Sequence, residues 1–547
     1  MGKRYAWIGL ISIFLFLISF CVGAAEPEVT FQELVVDGYR EVMVDTPLTN
    51  YVFSERSGAL KSAFLTFSPY GSSVAELVYG ANHPMEDSLH REYAAEGEFP
   101  FTLVRYFENE EGEQQVELDG IYTMGEPVFD EAGVLHLEFL GEFGGYAIRK
   151  AYAIAPDTLY TIDFEIQVTP ISDDLATLNL LFAKMLPSYV KRDPVYIFNG
   201  KASTAVFARG TYGSFGGLGN MDDETAFFLV PEPGQDVVPF VQPIPYPEPL
   251  DDSAPSCDGN CGRYGLELGE VGETTTYRFT LYGGRRRFVS MEAAGIEVLD
   301  ETGFFARLMV YVIRLLNWFY AKTGNYGWAI MLFTILMRIV LFPLMRKQYH
   351  SMARIQQIQP RLKRIQEKYK DNKEEMQKQT LEVYRKEKVN PMSGCFPMAI
   401  QLPIIIVIWR ALLYASEQIH LSPGFLWVPD LSLHDPYYIL IIVTTAIMMV
   451  QQYFMSPMTS DAAGPQKYMG YVFPLVMAFF LRKFPAGLWL YYLLTTAAQV
   501  GQQAFVNWEM ARASAGQVAV PEDEFIDVDE VTDIDESTTE NNDGDTA

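Results

Sequence analysis

Cysteine is scarce in this chain of 547 residues, with four in all, too few for a fold held together by a disulfide framework. Positive charge is also in short supply. The chain has 41 Lys and Arg against 69 Asp and Glu, and its net charge of −28 repels phosphate backbones and argues against nucleic acid as a specific partner. There is no P-loop, HExxH, paired CxxC or GxSxG, and the six histidines are scattered. No metal, cofactor or catalytic constellation is therefore expected. The length exceeds what one hydrophobic core supports, which excludes a single compact enzyme domain.

Apolar residues are plentiful but uneven. A mean hydropathy of +0.04 with 49% hydrophobic residues is too apolar for an ordinary soluble chain and too mixed for one built only of membrane helices. Lys3 and Arg4 precede an apolar run from Tyr5 to Ala25, about the 20 residues a helix needs to cross a bilayer. Residues 1–25 read as a membrane anchor or, given Gly23, Ala24 and Ala25, as a signal peptide. Residues 26–300 lack long apolar runs. Alternating segments at Tyr146 to Ile154, Leu159 to Val168 and Thr274 to Tyr282 lie between turn residues, the pattern of an all-β sandwich. Cys257 and Cys261 share a Gly-Asn-Asp-rich loop and read as a local disulfide or as two free thiols. Residues 301–323 carry an amphipathic pattern, with Arg307 and Arg314 on one face, as in a helix lying along a membrane surface.

Residues 324–510 contain five apolar runs: Tyr326 to Met345, Pro397 to Ala415, Tyr437 to Tyr453, Tyr468 to Leu481 and Gly487 to Val506. Between the first two, residues 346–393 hold thirteen Lys or Arg against six acids in a helical pattern broken near Asp371-Asn372. This basic hairpin belongs in the cytoplasm, which places the β domain outside. Arg482 and Lys483 then fall on the outer side, a small violation of the same rule. Residues 511–547 carry almost only acidic charge and read as a disordered cytoplasmic tail.

Arg338 lies near the middle of the first run, where a charge costs at least about 2.5–3.5 kcal/mol on insertion scales. Snorkelling would have to climb past Phe342, Pro343 and Leu344. None of the five runs contains Asp or Glu, which argues against a proton-coupled pump and for a water-filled cavity in which the guanidinium meets a transient partner. Thr334 is one turn away on the same face. Gln401, Gln451, Gln452, Gln499, Gln502 and Gln503 all fall toward the cytoplasmic ends of their runs. Singly, each fits an interhelical hydrogen bond. Together they outline a hydrophilic groove open to the cytoplasm and closed outward by Phe479, Phe480, Trp489, Tyr491 and Tyr492. The rival readings are a solute channel or transporter with an anion site at Arg338, and a membrane-anchored carbohydrate-active β-sandwich.

The segments GNYGWAIMLFTILMRIVLFPL (324–344), QYHSMARIQQIQPRL (348–362), EKVNPMSGCFPMAIQLPI (387–404), DPYYIL (435–440) and FPAGLWLYY (484–492) resemble the YidC family of membrane protein insertases over about residues 303–510. SGALKS (57–62) and YGGRRRF (282–288) are similar, more loosely, to the periplasmic β-supersandwich of its Gram-negative members. The resemblance implies a non-enzymatic insertase and chaperone of the bacterial inner membrane: a five-helix core plus an N-terminal membrane helix, with a large periplasmic domain. It further implies that Arg338, with Thr334 and the glutamines, receives the polar end of a nascent membrane protein. The substrate's apolar helix would pass along 397–415 and 468–481, with Phe479, Phe480, Tyr491 and Tyr492 as apolar contacts. The implied partners are nascent chains, the Sec translocon, membrane lipids, and the ribosome or targeting machinery at the hairpin. The acidic tail departs from the basic ends common in the family.

Overall fold

The computed structural model describes residues 28–67, 76–78, 99–108, 114–173, 175–185, 194–203, 214–243, 262–299, 303–387, 396–455 and 465–515. The expected membrane segment 1–25, the Cys257/Cys261 loop and the tail beyond 515 lie outside the described residues.

Among these residues twenty strands form three antiparallel sheets. The first is a meander of Thr30–Val36, Tyr39–Asp45, Thr49–Ser54, Ala59–Leu65 and Glu76–Val78. The largest has ten strands, with Thr225–Pro231, Thr275–Arg285, Thr161–Pro170, Tyr146–Ile154 and Leu135–Phe143 adjacent in that order. The third pairs Val238–Pro243, Gly262–Gly269, Leu178–Met185, Leu103–Glu108 and Gln114–Leu118. The three alternating segments of the sequence are central strands of the ten-stranded sheet. In Tyr146–Ile154 every second residue is buried, which is the two-residue period of a strand with one face on the core. Register places Tyr152 opposite Phe164 and Phe164 opposite Phe279. Their rings stack at 4.7 and 5.8 Å, and Phe53 and Phe101 close on them from outside that sheet at 4.7 and 4.8 Å. Such aromatic pairs add to what area burial alone contributes.

One position in that buried row is charged. Lys150 is 0% exposed, and its ammonium donates to the carbonyls of Ser57 and Phe101 and to Asp119 Oδ2 at 2.6, 2.7 and 2.8 Å. Tyr122 donates to the same carboxylate oxygen at 2.9 Å, and Tyr152 donates to the Gly58 carbonyl at 2.9 Å. Ser57 and Phe101, the two residues whose carbonyls meet Lys150, are in the left-handed region (φ 60° and 73°), a conformation that persists only where surroundings over-determine it. Burial pushes the Lys150 ammonium below the ordinary lysine range, with Asp119 opposing it.

The strand Thr275–Arg285 leads out of the domain through Gly283 and Gly284. A Cβ on Gly284 would overlap the Tyr160 ring, which explains the second glycine of YGGRRRF. Gly284→Ala is expected to cost about 1–3 kcal/mol by overpacking, read as earlier thermal unfolding of the detergent-solubilised chain. Helix α1 (Phe288–Glu292) and a short 3-10 turn (Glu297–Leu299) follow, then α2 (Phe304–Thr323), which ends at Gly324 in the left-handed conformation (φ 65°). Arg314 of α2 pairs with Glu292 at 2.6 Å.

Next come α3 (Tyr326–Lys368), α4 (Lys373–Lys386), α5 (Phe396–Tyr414), α6 (Ser416–His420), α7 (Ile439–Met455), α8 (Pro465–Phe480) and α9 (Ala486–Ala515). The apolar stretch of α3, Tyr326–Arg346, has 21 residues, while Gln401–Tyr414, Ile439–Gln452 and Tyr471–Phe480 are shorter apolar stretches. At 1.5 Å per residue, α8 is about 24 Å long, less than a hydrocarbon core of about 30 Å. The sequence separates a membrane run ending at 345 from a hairpin beginning at 346. In the structure the run and the first arm of the hairpin are one helix of 43 residues that passes through Pro343 and Pro360. The break falls at Asn372, whose side chain caps α4 by accepting from the Glu375 amide, and Arg361 pairs with Glu387 at 2.6 Å across the hairpin base. Helix α9 also continues to Ala515, past the expected start of the tail.

Contacts divide the chain into two compact units. The first comprises Met1–Met337, Gln401–Gln452 and Gly464–Thr495, and the second Arg338–Ile400, Tyr453–Ala463 and Thr496–Ala547. Within the first, the RRR of the motif meets α6. Arg287 Nη1 donates to the Leu413 carbonyl, to Ser416 Oγ at 2.9 Å and to Glu417 Oε2 at 2.9 Å. Glu417 is 1% exposed. Phe67 of the β domain stacks on His420 at 4.1 Å, and His420 pairs with Asp430 at 2.6 Å. These contacts fix which end of α5 and α7 is the outer one.

Candidate substrate groove

Arg338 follows three turns of apolar helix in α3 and is 8% exposed. It opens the second compact unit, which also contains Gln499, Gln502 and Gln503 of α9. Gln503 is buried, whereas Gln499 and Gln502 are half-buried. The Gln502 Oε1 atom is shielded from solvent and meets no hydrogen-bond donor among the described residues. Below this level Met345 of α3 packs on Val506 of α9. Arg346 donates to Glu509, and His350 Nε2 lies 3.5 Å from the other oxygen of that carboxylate. The lower parts of α3 and α9 are therefore held side by side by an apolar contact and an ion-pair cluster.

The same unit contains a residue outside the set expected from sequence. Gln348 is 5% exposed and neither atom of its amide has a hydrogen-bond partner among the described residues. It lies past the end of the apolar run, where hydropathy reads as the water-facing hairpin. The available signal was that α3 keeps its helical phase through Arg346.

The other expected groove residues belong to the first unit. Thr334 is buried, and its hydroxyl donates back to the Ile330 carbonyl at 2.6 Å, a bond within its own helix. Gln401 Nε2 donates to the Tyr491 hydroxyl at 3.3 Å, so the structure joins these two. Tyr491 is buried in the apolar cluster of this unit and Tyr492 packs against it. Phe479 and Phe480 of α8 are instead 62% and 71% exposed. The four aromatics grouped by sequence thus separate into two buried or half-buried tyrosines and two exposed phenylalanines. Trp489 donates from Nε1 to the Leu481 carbonyl at 3.1 Å and secures the turn after α8. Gly327 lets α3 approach the outer loop closely, since a Cβ there would overlap the Phe425 ring.

Fold and site together define a protein of several apolar helices joined to a large β domain. A family model described as "60Kd inner membrane protein" matches residues 318–513. The membrane protein insertase YidC of Syntrophus aciditrophicus (strain SB) is 30% identical over 518 residues, covering 89% of this chain and 88% of that one. The match to the YidC insertase of Geotalea daltonii, at 35% identity over 238 residues, spans less than half of either chain, 43% of this one and 44% of that one. A solved structure titled "Active YidC insertase crystal structure with the first transmembrane domain resolved" superposes with a TM-score of 0.50 at 19% identity, covering 92% of this chain and 99% of that one, a likeness of fold. The chain belongs to the YidC family of membrane protein insertases.

Proposed function

We propose that the protein inserts nascent membrane proteins into the inner membrane, using a groove open to the cytoplasm in which Arg338 transiently receives the polar or acidic end of the substrate. The observation that carries the reading is the arginine itself: a guanidinium almost fully removed from solvent on an apolar helix, in a compact unit that also supplies Gln499, Gln502 and Gln503. A carboxylate entering hydrocarbon unaided faces a large desolvation penalty, and one fixed positive charge in the groove lowers it without a nucleotide or a covalent step. The glutamines offer both donors and acceptors to peptide groups that leave water on the way. Burial of the substrate's apolar helix in lipid, along the exposed faces of α5 and α8, supplies the net driving force.

The basic hairpin of α3 and α4 is the proposed contact for ribosome or targeting machinery, and the Sec translocon and lipids are the proposed neighbours in the membrane. The test is photocrosslinking from Gln499, Phe479 and Phe480 to a ribosome-bound nascent membrane protein. Adducts from all three are expected. Their absence from every position, with the chain correctly folded, would overturn the reading.

A further inference from the structure

Arg482 and Lys483 break the charge bias of the membrane topology, and the groove does not use them. They lie in the turn after α8, on the outer side, since the Ala486 amide that follows bonds to the Leu433 carbonyl of the outer loop. A third cation lies at the same level. Arg410 is exposed on α5, one turn before its outer end. The adjacent Trp409 stacks on Phe484 at 5.1 Å, two residues after Arg482. Arg410 ends an apolar stripe of α5, and Arg482 follows the end of one on α8 by two residues. Leu402, Ile406 and Arg410 recur at every fourth residue of α5, all exposed, and Val472, Val476 and Phe480 do the same on α8.

The posture of Arg482 is informative. A basic side chain that serves the headgroups lays its stem on apolar surface and keeps its charged head in water. Arg482 instead folds back: its guanidinium lies 4.4 Å from the centre of the exposed Phe479 ring and donates to the Phe479 carbonyl at 2.7 Å. The charge is laid over the outer end of the α8 stripe. Neither Arg410 nor Arg482 has a carboxylate partner among the described residues, and Lys483 is exposed in the same turn.

We propose that Arg410 and Arg482 form an outer anionic station: a pair of guanidiniums that receives carboxylates of the substrate's outward-bound segment as its apolar helix moves along the stripes of α5 and α8. This rests on the insertase reading above and extends it, because it gives the translocated acidic segment a second positive site after Arg338. The ligand chemistry is a peptide carboxylate, which a fixed positive charge at the outer end of the stripes attracts.

The test uses the full chain in phosphatidylcholine vesicles and two single-span substrates, one with several Asp in its translocated tail and one with Asn in their place. In the combined R410Q and R482Q variant, the ratio of acidic-tail to neutral-tail insertion is expected to fall about threefold, the scale of exposed ion pairs, and the combined R410K and R482K variant should recover most of it. An unchanged ratio, with wild type inserting both substrates, overturns the station and leaves the insertase reading intact. A loss equal for both tails, or one that appears only when phosphatidylglycerol is added, assigns the arginines to lipid headgroups and overturns it too. Failure of wild type to insert either substrate removes the insertase reading and this inference with it.

Discussion

Replacing Arg338 with Ala is expected to lower insertion of substrates with acidic translocated segments by about 10- to 100-fold, the worth of a hydrogen bond to a charged group of about 1.5–3 kcal/mol. Arg338→Lys should retain most of the activity, because a fixed charge matters more here than fork geometry. The measurement is protease protection of the translocated tail in proteoliposomes. Substrates with neutral tails should be affected less, since they carry no carboxylate through the groove. Equal insertion of acidic-tail substrates by the Ala variant and wild type would contradict the electrostatic role.

The second large effect is expected far from the groove. Asp119→Ala leaves the Lys150 ammonium buried with two carbonyls and no counter-charge, and removing one member of a buried pair typically costs about 3–5 kcal/mol. Amide exchange of the strand Tyr146–Ile154 should accelerate by roughly two to three and a half orders of magnitude if that strand opens with its domain. The combined Lys150→Met and Asp119→Leu variant should recover much of the protection, because an apolar replacement leaves no charge stranded. Unchanged exchange in the single variant would mean that Asp119 is not the counter-charge that keeps Lys150 buried.

The sequence made some of this legible and concealed the rest. The strand Tyr146–Ile154 was readable because its alternation is local. The pairing of Asn179 with Val104 was not, because no short-range pattern encodes a partner so distant in the chain. Arg338 stood out as a lone charge amid Met337, Ile339 and Val340. Lys150 passed unnoticed although it shares the parity of Tyr146, Ile148, Tyr152 and Ile154, which assigns it to the buried face. The unity of α3 was hidden because hydropathy falls sharply at Arg346 while helical periodicity does not, and that same boundary removed Gln348 from consideration. Thr334 was placed on the correct helix, but the competition of its own backbone for the hydroxyl cannot be read from spacing alone. Arg410 escaped attention because a basic residue near the end of an apolar run reads as an ordinary interfacial anchor.

The clasp between Arg287 and Glu417 limits how the outer domain can be trimmed. Glu417 lies on the outer helix α6, yet the cation that neutralises it comes from the last residues of the β domain. A shortened protein that keeps Gly283 onward retains that cation beside α6. One that starts at Phe288 strands a carboxylate in an apolar setting at the mouth of the bundle. The residues just before α1 therefore belong, in energetic terms, to the membrane core, and the border between dispensable and indispensable sequence falls between the end of the final β-strand at Arg285 and Arg287.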